Sequence, residues 1–338
     1  MRDMMAMVAR TLGPADVLRP ERMPIPEPAP TEVRIKVEAV GVNYVDVQHR
    51  AGFPYSVQAP LVPGIEAVGT IEKVGNAVTG WQIGDRVGVA GPMCGWYAEQ
   101  ACAPAERLIP IPQRLSSTLA AAVMLQGMTA HMLTETVTHL MPGQAVLVHA
   151  AAGGVGLHLV QLAKRRGAMV FGTVSSQSKA LLARDYGCDH VLVGTQDWDV
   201  AVRKHCPDGV DVVFDGVGGS AFQVGLRALR AGGHMVCYGQ SAGPVPPIDP
   251  AQLSGFTGQG NQGSLTLTWS TLSDHNRHPQ DMRARAAAVF ELLQQGDLRV
   301  HLAAEFPLIE AAEAHRRLES RNTTGKLVLQ VSSDLKSS

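Results

Sequence analysis

The stretch AVLVHAAAGGVGLHLVQLAKRRGAMVFGTVSSQSK, residues 145–179, decides the fold of this chain. It begins with a short apolar run, continues through a glycine-rich turn, and then places apolar residues at helical spacing. A second apolar run over Met169–Val174 leads into a polar loop that ends at Lys179. Strand, turn, helix and second strand in this order predict a βαβ unit, and in that context a glycine-rich turn indicates dinucleotide binding.

The glycines of this turn stand where a bound pyrophosphate would need them. Ala151 occupies the first position of the usual three-glycine pattern, while Gly153 and Gly156 occupy the second and third. A glycine at the second position lets the backbone approach the phosphates, and one at the third lets the helix pack on the strand. We expect the N–H groups around Gly154 and Val155, at the helix N-terminus, to bind the phosphates. The alternative is a glycine-rich turn in an α/β protein that binds nothing.

The composition is that of a globular protein of about two domains. The chain has 338 residues, 45% hydrophobic and 17% charged, with a net charge of −1. No basic excess suggests a nucleic-acid partner, no apolar window approaches the roughly 18 residues of a membrane span, and the first residues lack the apolar core of a signal peptide. Five scattered cysteines without a C-x-x-C pair predict free thiols in a reducing cytoplasm.

The order of the expected elements divides the chain into two kinds of structure. The first 125 residues or so are expected to be mostly β, with strands over 32–40, 68–74 and 85–90, followed by a helix capped by Ser116 or Ser117. Strands and helices then alternate, which predicts a doubly wound parallel sheet. Its strands are expected over 145–149, 169–174, 190–193, 210–215, 234–239 and, at the sheet edge, 264–269. A polar loop over 274–279 and helices over 281–296 and 310–319 precede a closing strand over 326–331, which we expect to rejoin the first domain.

Several further blocks resemble a known superfamily. They are GVNYVDVQHRAG (41–52), PLVPGIEAVGTIEKVG (60–75), GDRV (84–87), LQGMTAH (125–131), NQGSLTLT (261–268) and FPLIEAAEAHRRLESRNTTGKLVL (306–329). Together with the opening stretch they resemble the medium-chain dehydrogenase/reductase superfamily, and within it the zinc-independent quinone oxidoreductase branch that includes zeta-crystallin. The resemblance implies an α/β protein with a GroES-like, mostly β catalytic domain (1–125 plus 281–338) and a Rossmann NADPH-binding domain (126–280).

The residue types at the metal positions of this superfamily predict that zinc is absent. Zinc-dependent relatives supply Cys, His and Cys ligands, which suit the metal. The matching positions here are Asn43, Ile65 and the neighbourhood of 125–127, and an isoleucine cannot bind a metal. The four-cysteine structural lobe of those relatives is also missing, since Cys94 and Cys102 stand alone in that region. We therefore expect neither a catalytic nor a structural zinc.

The loop after the second strand favours NADPH over NADH. An NAD site usually ends this strand with a carboxylate that accepts from the ribose 2′-hydroxyl. Here Ser175, Ser176 and Lys179 follow the strand, and no carboxylate appears before Asp185. These residues offer donors and a positive charge to a 2′-phosphate. The alternative is that Ser178 only caps a helix and Lys179 is solvated. The resemblance adds Arg321 as a second cation near that phosphate.

The resemblance also implies contacts to the nicotinamide. It places Asn43 and Thr129 beside the ring. Backbone groups around 240–242 and 265–268 would hold the carboxamide, and they include those of Gln240, Ser241, Leu265 and Leu267.

Three side chains are candidates for catalysis. We expect Asn43 to donate to a substrate oxygen, although an asparagine in a structural turn is an equal alternative. Relatives commonly place a tyrosine a few residues later, but Gln48 stands there. Tyr44 or Tyr55 could replace it as a donor, and core packing is an alternative role for Tyr44.

These residues predict an NADPH-dependent, zinc-independent oxidoreductase that transfers hydride to a quinone. A quinone or an enone is already electrophilic and needs only a hydrogen-bond donor for the oxyanion that forms. The first alternative is an enone or enoyl (C=C) reductase of the same fold, and the second is a non-catalytic NADPH-binding protein that acts as a crystallin or binds RNA. The resemblance further implies a homodimer, paired through the edge strand over 264–269, which carries neither Lys nor Glu to discourage pairing.

Overall fold

We describe a computed structural model of the chain, in which residues 3–194, 197–255 and 263–331 are placed. Asn261 and Gln262, the first two residues of the NQGSLTLT block, lie outside these residues. The strands are β1 (Asp3–Ala9), β2 (Leu18–Pro24), β3 (Glu32–Val42), β4 (Glu66–Val74), β5 (Arg86–Ala90), β6 (Gln100–Pro104), β7 (Ile109–Pro110), β8 (Ala145–Val148), β9 (Met169–Val174), β10 (His190–Val193), β11 (Val210–Asp215), β12 (Leu229–Cys237), β13 (Thr266–Trp269), β14 (Leu302–Pro307) and β15 (Lys326–Gln330). The helices are α1 (Tyr44–Ala51), α2 (Ser117–His131), α3 (Gly154–Arg165), α4 (Gln177–Asp185), α5 (Trp198–Arg203), α6 (Ser220–Ala228), α7 (Leu272–His275), α8 (Pro279–Gln295) and α9 (Ala311–Glu319).

The chain divides into two compact units. The first comprises the described residues of Met1–Met128, His275–Gln294 and Val300–Ser338, and the second those of Thr129–Asp274 and Gln295–Arg299. The boundaries expected from the sequence, after residues 125 and 280, differ from these by a few residues and stay a prediction for the functional domains. None of the helices that the structure describes is long and apolar enough to cross a membrane.

The first unit is built on a seven-stranded sheet in the order β14-β15-β3-β4-β5-β7, with β6 also paired to β3. The strands expected over 32–40, 68–74 and 85–90 are confirmed within two residues as β3, β4 and β5. Strand β3 alternates as expected, because its apolar side chains Val33, Ile35 and Val37 enter the core. The closing strand β15 pairs antiparallel with β3, which confirms that the end of the chain rejoins the first unit.

The second unit is built on a parallel sheet of six strands in the order β10-β9-β8-β11-β12-β13. This is the doubly wound order, with the direction of winding reversing between β8 and β11. The predicted Rossmann sheet is therefore confirmed, and β13 lies at its edge as expected. Because all the strands run in one direction, their carboxyl ends share one edge of the sheet, called here the carboxyl edge. Ligands of such folds bind outside this edge.

Some elements were not predicted from the sequence. The hairpin β1–β2, the strands β6 and β14 and the helix α5 are short and lack a clear period. Helix α5 begins at Trp198, whose buried ring packs 4.9 Å from that of His149, so its position depends on a tertiary contact.

Two expected boundaries can be compared with the structure. The bounds predicted for the loop over 274–279 are wrong at both ends, since α7 reaches His275 and α8 begins at Pro279. The choice of helix cap is settled, because Ser116 Oγ accepts from the backbone N of Leu119.

Candidate functional site

The glycine turn connects β8 to α3 at the carboxyl edge. Ala150 adopts a left-handed conformation with φ of 53°, and Gly153 donates to its carbonyl at 2.8 Å. Helix α3 begins at Gly154 and is preceded by Gly153, which offers no side-chain cap. The first N–H groups of an α-helix have no carbonyl partner within the helix, so the turn presents donors together with the positive end of the helix dipole. A phosphate group fits this arrangement.

Close packing excludes a side chain at Gly156, next to the turn, and at Gly172 on the neighbouring strand β9. A Cβ on Gly156 would lie 2.2 Å from the Ala150 carbonyl oxygen, and one on Gly172 of β9 would lie 2.6 Å from Ala151 Cβ. A Cβ on Gly153 would be less crowded, 3.1 Å from the same Ala150 oxygen. Gly156 is therefore required for packing, as the sequence predicted, whereas Gly153 keeps the approach to the helix N-terminus open.

The side chains of His149 and Thr173 are buried and pack against the backbone of the turn. Thr173 Oγ1, at the end of β9, accepts from the backbone N of Ala150 at 3.3 Å and lies 3.2 Å from His149 Nδ1. His149 is fully buried, and burial lowers the pKa of its imidazole. The neutral ring and the threonine hydroxyl thus hold the backbone of the turn in place without adding a charge beneath it.

The loop after β9 contains the candidate residues for the 2′-phosphate. Ser175 is exposed, and Ser176 caps α4 by accepting from the backbone N of Lys179 at 3.3 Å. The Ser176 and Ser178 hydroxyl oxygens are 3.0 Å apart. The side chain of Lys179 is half-buried, and burial lowers the pKa of its ammonium group. The alternative role as a helix cap was expected at Ser178 and is wrong for that residue, because the structure gives the cap to Ser176.

The loops after β11 and β12 are tied together at the same edge. Asp215 is fully buried, and its Oδ1 accepts from the backbone N of Val217 at 2.7 Å and of Gly218 at 3.0 Å. Ser241 donates its backbone N–H to the Gly216 carbonyl at 3.1 Å. The structure thus brings Ser241 and its neighbour Gln240 to the carboxyl edge, where the glycine turn and Ser175 also lie.

Two other expected cofactor contacts lie elsewhere. Leu265 precedes β13 at its amino end, is buried, and donates its backbone N–H to the Leu253 carbonyl at 3.0 Å. Leu267 lies within β13 in register with Met235. The structure does not bring these two leucines to the carboxyl edge, and their role stays a prediction.

Thr129 and Arg321 also stay predictions as cofactor contacts. Thr129 is half-buried near the end of α2 and begins the second unit. Arg321 belongs to the first unit, where it is exposed on the turn after α9 with φ of 60°.

The first unit contains a buried polar cluster around Asn43, which precedes α1 and is 5% exposed. The Asn43 Nδ2 group donates to the Gly41 carbonyl at 3.0 Å and to Glu66 Oε2 at 2.9 Å. Its Oδ1 accepts from Lys326 Nζ at 2.7 Å and from Gln126 Nε2 at 3.3 Å. Both N–H bonds of the amide are therefore used within the protein, so donation to a substrate oxygen would require one of these bonds to be exchanged.

The charges of this cluster are Glu66 and Lys326, which are 0% and 1% exposed. Lys326 Nζ lies 2.7 Å from Glu66 Oε2, and Glu66 Oε1 accepts from the backbone N of Leu125 at 2.6 Å. A Cβ on Gly41 would lie 2.2 Å from Glu66 Oε2, so the carboxylate fits only because residue 41 is glycine. An ion pair buried to this degree must be hydrogen-bonded on both sides to be tolerated, and this one is.

A second buried chain of polar groups adjoins the first. Asp46 Oδ2 accepts from the Asn43 backbone N at 2.8 Å and from Tyr97 OH at 3.3 Å, and Tyr97 OH lies 2.9 Å from His315 Nε2. Burial raises the pKa of Asp46 to about 7 and lowers the pKa of His315 to about 3. Neutral forms are thus favoured at both ends of this chain. Arg50, which is buried beside it, pairs with Glu319 at 2.6 Å.

The two candidate tyrosines differ in their surroundings. Tyr44 is half-buried in the first turn of α1, whereas Tyr55 is exposed in the following loop with its ring edge-on to His49 at 5.8 Å. His49 Nδ1 in turn lies 3.2 Å from Cys94 Sγ. Burial lowers the pKa of His49 and raises the pKa of the Cys94 thiol to about 11. Tyr55 is therefore the more accessible donor.

The side chains at the positions that match the zinc ligands of zinc-dependent relatives are unsuited to the metal. Ile65 is buried and apolar, and Asn43 and Gln126 present amides that are bonded to each other. Among the residues that the structure describes, no three His, Cys, Asp or Glu side chains are grouped so that they could hold a metal ion.

Four polar residues of these sites were missed from the sequence, namely Glu66, Gln126, Asp215 and Lys326. A signal was present for three of them. Asp215 ends the apolar run VDVVF, Lys326 begins the apolar run LVL, and Glu66 precedes AVG. A charged residue at the end of a buried strand is either solvated or paired, and the sequence does not say which.

Comparison with known proteins identifies the family. Residues 29–113 match the alcohol dehydrogenase GroES-like domain, and residues 186–329 match a domain described as zinc-binding dehydrogenase. The chain is 37% identical over 332 residues to a 2-haloacrylate reductase of a Burkholderia species, covering 96% of this chain and 98% of that one. It is 37% identical over 309 residues to a quinone oxidoreductase of Pseudomonas aeruginosa, covering 90% and 92%.

A solved structure is equally similar. A mycobacterial protein in complex with NADPH superposes with a TM-score of 0.91 at 38% identity, over 97% of this chain and 100% of that one. Both the fold and the sequence therefore agree along nearly the whole chain. The protein belongs to the zinc-independent quinone oxidoreductase branch of the medium-chain dehydrogenase/reductase superfamily.

Proposed function

We propose that this protein is an NADPH-dependent oxidoreductase that transfers hydride to a quinone. The observation that carries the proposal is the carboxyl edge of the second unit, where the uncapped N-terminus of α3 and the Ser176–Lys179 loop follow adjacent strands. NADPH, when bound, supplies the hydride. Relatives named as quinone oxidoreductases and a structural neighbour in complex with NADPH support this assignment.

In this proposal the backbone of the second unit binds the cofactor phosphates. The N–H groups of Gly154 and Val155 meet the pyrophosphate, with Gly153 leaving the approach open. Ser175, Ser176 and Lys179 meet the 2′-phosphate. Each hydrogen bond to a charged group contributes about 1.5–3 kcal/mol, so two of them favour NADPH over NADH by about a hundredfold or more.

The first unit provides the hydrogen-bond donors for the acceptor. A quinone needs no metal to accept hydride, because its oxygens take up the charge and require only donors. Tyr55 is exposed in the loop after α1, and Tyr44 lies at the start of that helix. We assign these two tyrosines to the acceptor side of the reaction. Asn43 stays a prediction as a donor, because both of its N–H bonds are used within the first unit.

The proposal is tested by steady-state assays with 1,4-benzoquinone and either NADPH or NADH. We expect turnover that depends on NADPH and is unaffected by EDTA. A preference for NADH, or activity that is lost with EDTA and regained with zinc, would overturn it.

A second candidate is reduction of an activated C=C bond. It is favoured by the 2-haloacrylate reductase, to which the chain is as similar as to the quinone oxidoreductase. Quinones, enones and 2-haloacrylates compared by kcat/KM under the same conditions separate the two candidates, since the larger value identifies the acceptor class.

We also propose a cytoplasmic homodimer. The described cysteines Cys94, Cys102, Cys188, Cys206 and Cys237 are free, as in a reducing compartment. Strand β13 lies at the sheet edge with Leu267 half-buried and Trp269 46% exposed, and it carries no charge that would oppose pairing. Sedimentation of Leu267→Lys should show monomers, and an unchanged dimer would point to another interface.

A further inference from the structure

The orientation of the Asn43 amide is determined by its neighbours. Its Nδ2 faces two acceptors, the Gly41 carbonyl and the Glu66 carboxylate, at 3.0 and 2.9 Å. Its Oδ1 faces the Lys326 ammonium at 2.7 Å, which can only donate. Turning the amide over would place N–H against ammonium and oxygen against carboxylate, so a single orientation is allowed.

This orientation determines that of a second amide, the side chain of Gln126 on α2. Gln126 lies 3.3 Å from Asn43 Oδ1, which is an acceptor, and it must therefore present Nε2 to it. Its carbonyl oxygen Oε1 then points away from the cluster, as does the second hydrogen of Nε2. The charge on Lys326 thus sets the polarity of Gln126 through one intervening amide.

The far side of Gln126 is where a ligand is indicated. Gln126 Oε1 is buried and has no hydrogen-bond partner among the described residues. A buried carbonyl oxygen without a partner is unfavourable, and such groups usually meet a ligand or an ordered water. The Gln126 residue as a whole is half-buried, so part of it is exposed to a ligand.

We propose that Gln126 binds the oxygen of the electron acceptor, and that Lys326 is a positioning residue acting on it through Asn43. This inference rests on the proposed reductase function. An amide suits an oxygen whose protonation changes during the reaction, because Nε2–H donates to the carbonyl oxygen of the oxidised acceptor. Hydride transfer leaves an oxyanion, which takes a proton from solvent, and Oε1 then accepts from the resulting hydroxyl of the reduced acceptor.

The first experiment compares Gln126→Met with the wild-type protein, using NADPH and 1,4-benzoquinone. Methionine has a similar length and no strong donor or acceptor. We expect kcat/KM for the quinone to fall at least about tenfold, since removal of one donor to a developing oxyanion has effects of that order or larger. The NADPH Kd, measured by fluorescence titration, should stay within about twofold because the acceptor oxygen is affected and the cofactor is not.

Gln330→Met is the matched control. Gln330 is another half-buried glutamine of the first unit, whose Nε2 donates to Thr118 Oγ1 at 2.6 Å. Its loss should change the melting temperature without changing kcat/KM. Unchanged kcat/KM in Gln126→Met overturns the inference, and so does an equal loss in both variants or a parallel rise in the NADPH Kd. A wild-type protein that reduces no acceptor with NADPH overturns the proposed function instead.

The second experiment tests the positioning role of Lys326. The variant Lys326→Met with Glu66→Gln removes both charges and leaves no unpaired buried charge. Asn43→Ala interrupts the same connection without removing a charge. Either change should lower kcat/KM in the wild-type background and have little further effect in Gln126→Met, because residues that act through one another are not additive. The same fold-loss in both backgrounds would show that Lys326 does not act through Gln126, which would overturn its positioning role.

Discussion

The glycine turn of the second unit and the polar cluster of the first are both polar sites, but they are assembled in opposite ways. The turn is formed by residues close together in the chain, with Gly153 and Gly156 three positions apart, and it uses backbone N–H groups. The cluster joins Asn43 to Lys326 across 283 positions and uses side chains that neutralise one another.

The difference indicates where a charged ligand is expected. In the cluster, Lys326 and Glu66 supply each other's charge, so this ion pair needs no charged ligand. In the turn, the first N–H groups of α3 have no acceptor within their helix, so they are available to an anion. We therefore expect changes to the paired side chains of the cluster to affect stability, and changes at the carboxyl edge of the second unit to affect cofactor affinity.

The largest effect is expected on the free energy of unfolding, from the change Lys326→Met. This change leaves Glu66 as a buried, unpaired carboxylate, and loss of one partner of such a pair costs about 3–5 kcal/mol of unfolding free energy. Urea denaturation followed by circular dichroism measures the loss. The double variant with Glu66→Gln should recover most of it, and a double variant as unstable as the single one would show that the ammonium matters for packing alone.

The next effect is expected on cofactor affinity from Lys179→Met. Loss of one charged contact to the 2′-phosphate should weaken NADPH binding by about 1.5–3 kcal/mol, while NADH binding is unchanged. Titration calorimetry with both cofactors measures the difference. Lys204, which is exposed in the same unit, is the control residue. Equal losses for NADPH and NADH would contradict a role at the 2′-phosphate.

Gly156→Ala should lower the stability of the protein, because the backbone around the turn leaves no room for a Cβ. The added Cβ would lie 2.2 Å from the Ala150 carbonyl oxygen, so the turn has to move, at about 1–3 kcal/mol of stability. Gly153→Ala is the milder comparison because its nearest contact is 3.1 Å. Thermal unfolding without cofactor should rank wild type, Gly153→Ala and Gly156→Ala in falling order. The reverse ranking would mean that α3 does not pack as described.

The smallest effect concerns pH and the chain of Asp46, Tyr97 and His315. Burial raises the pKa of Asp46 to about 7, so over roughly pH 4–7 the folded state holds an extra proton there and this residue makes stability fall as pH rises. Burial lowers the pKa of His315 to about 3, so over roughly pH 3–6.5 the unfolded state holds the extra proton and this residue makes stability rise with pH. The two contributions oppose each other between about pH 4 and 6.5.

Asp46→Asn removes only the first contribution. Relative to wild type, the variant should lose about 1.4 kcal/mol of unfolding free energy when the pH falls from about 6 to about 5. Urea unfolding at the two pH values measures this difference. A constant difference between variant and wild type would mean that Asp46 is ionised in the folded protein.

Much of the architecture could be predicted because it depends on local pattern. Strand β9 and strand β11 were expected at their observed bounds, since buried parallel strands are continuous apolar runs. Short elements such as α5 and β14 could not be predicted, because their own residues carry no period and tertiary contacts hold them in place.

The sequence by itself determined the βαβ unit and its glycine turn, together with the absence of a metal-ligating side chain at Ile65. These features depend on residue type and on spacing within a few turns of chain. Only the tertiary structure decided that Glu66, Gln126 and Lys326 meet at Asn43, and that Leu265 lies at the amino end of β13. The physical reason is that contacts between distant residues follow from strand register and packing, which short-range patterns do not specify.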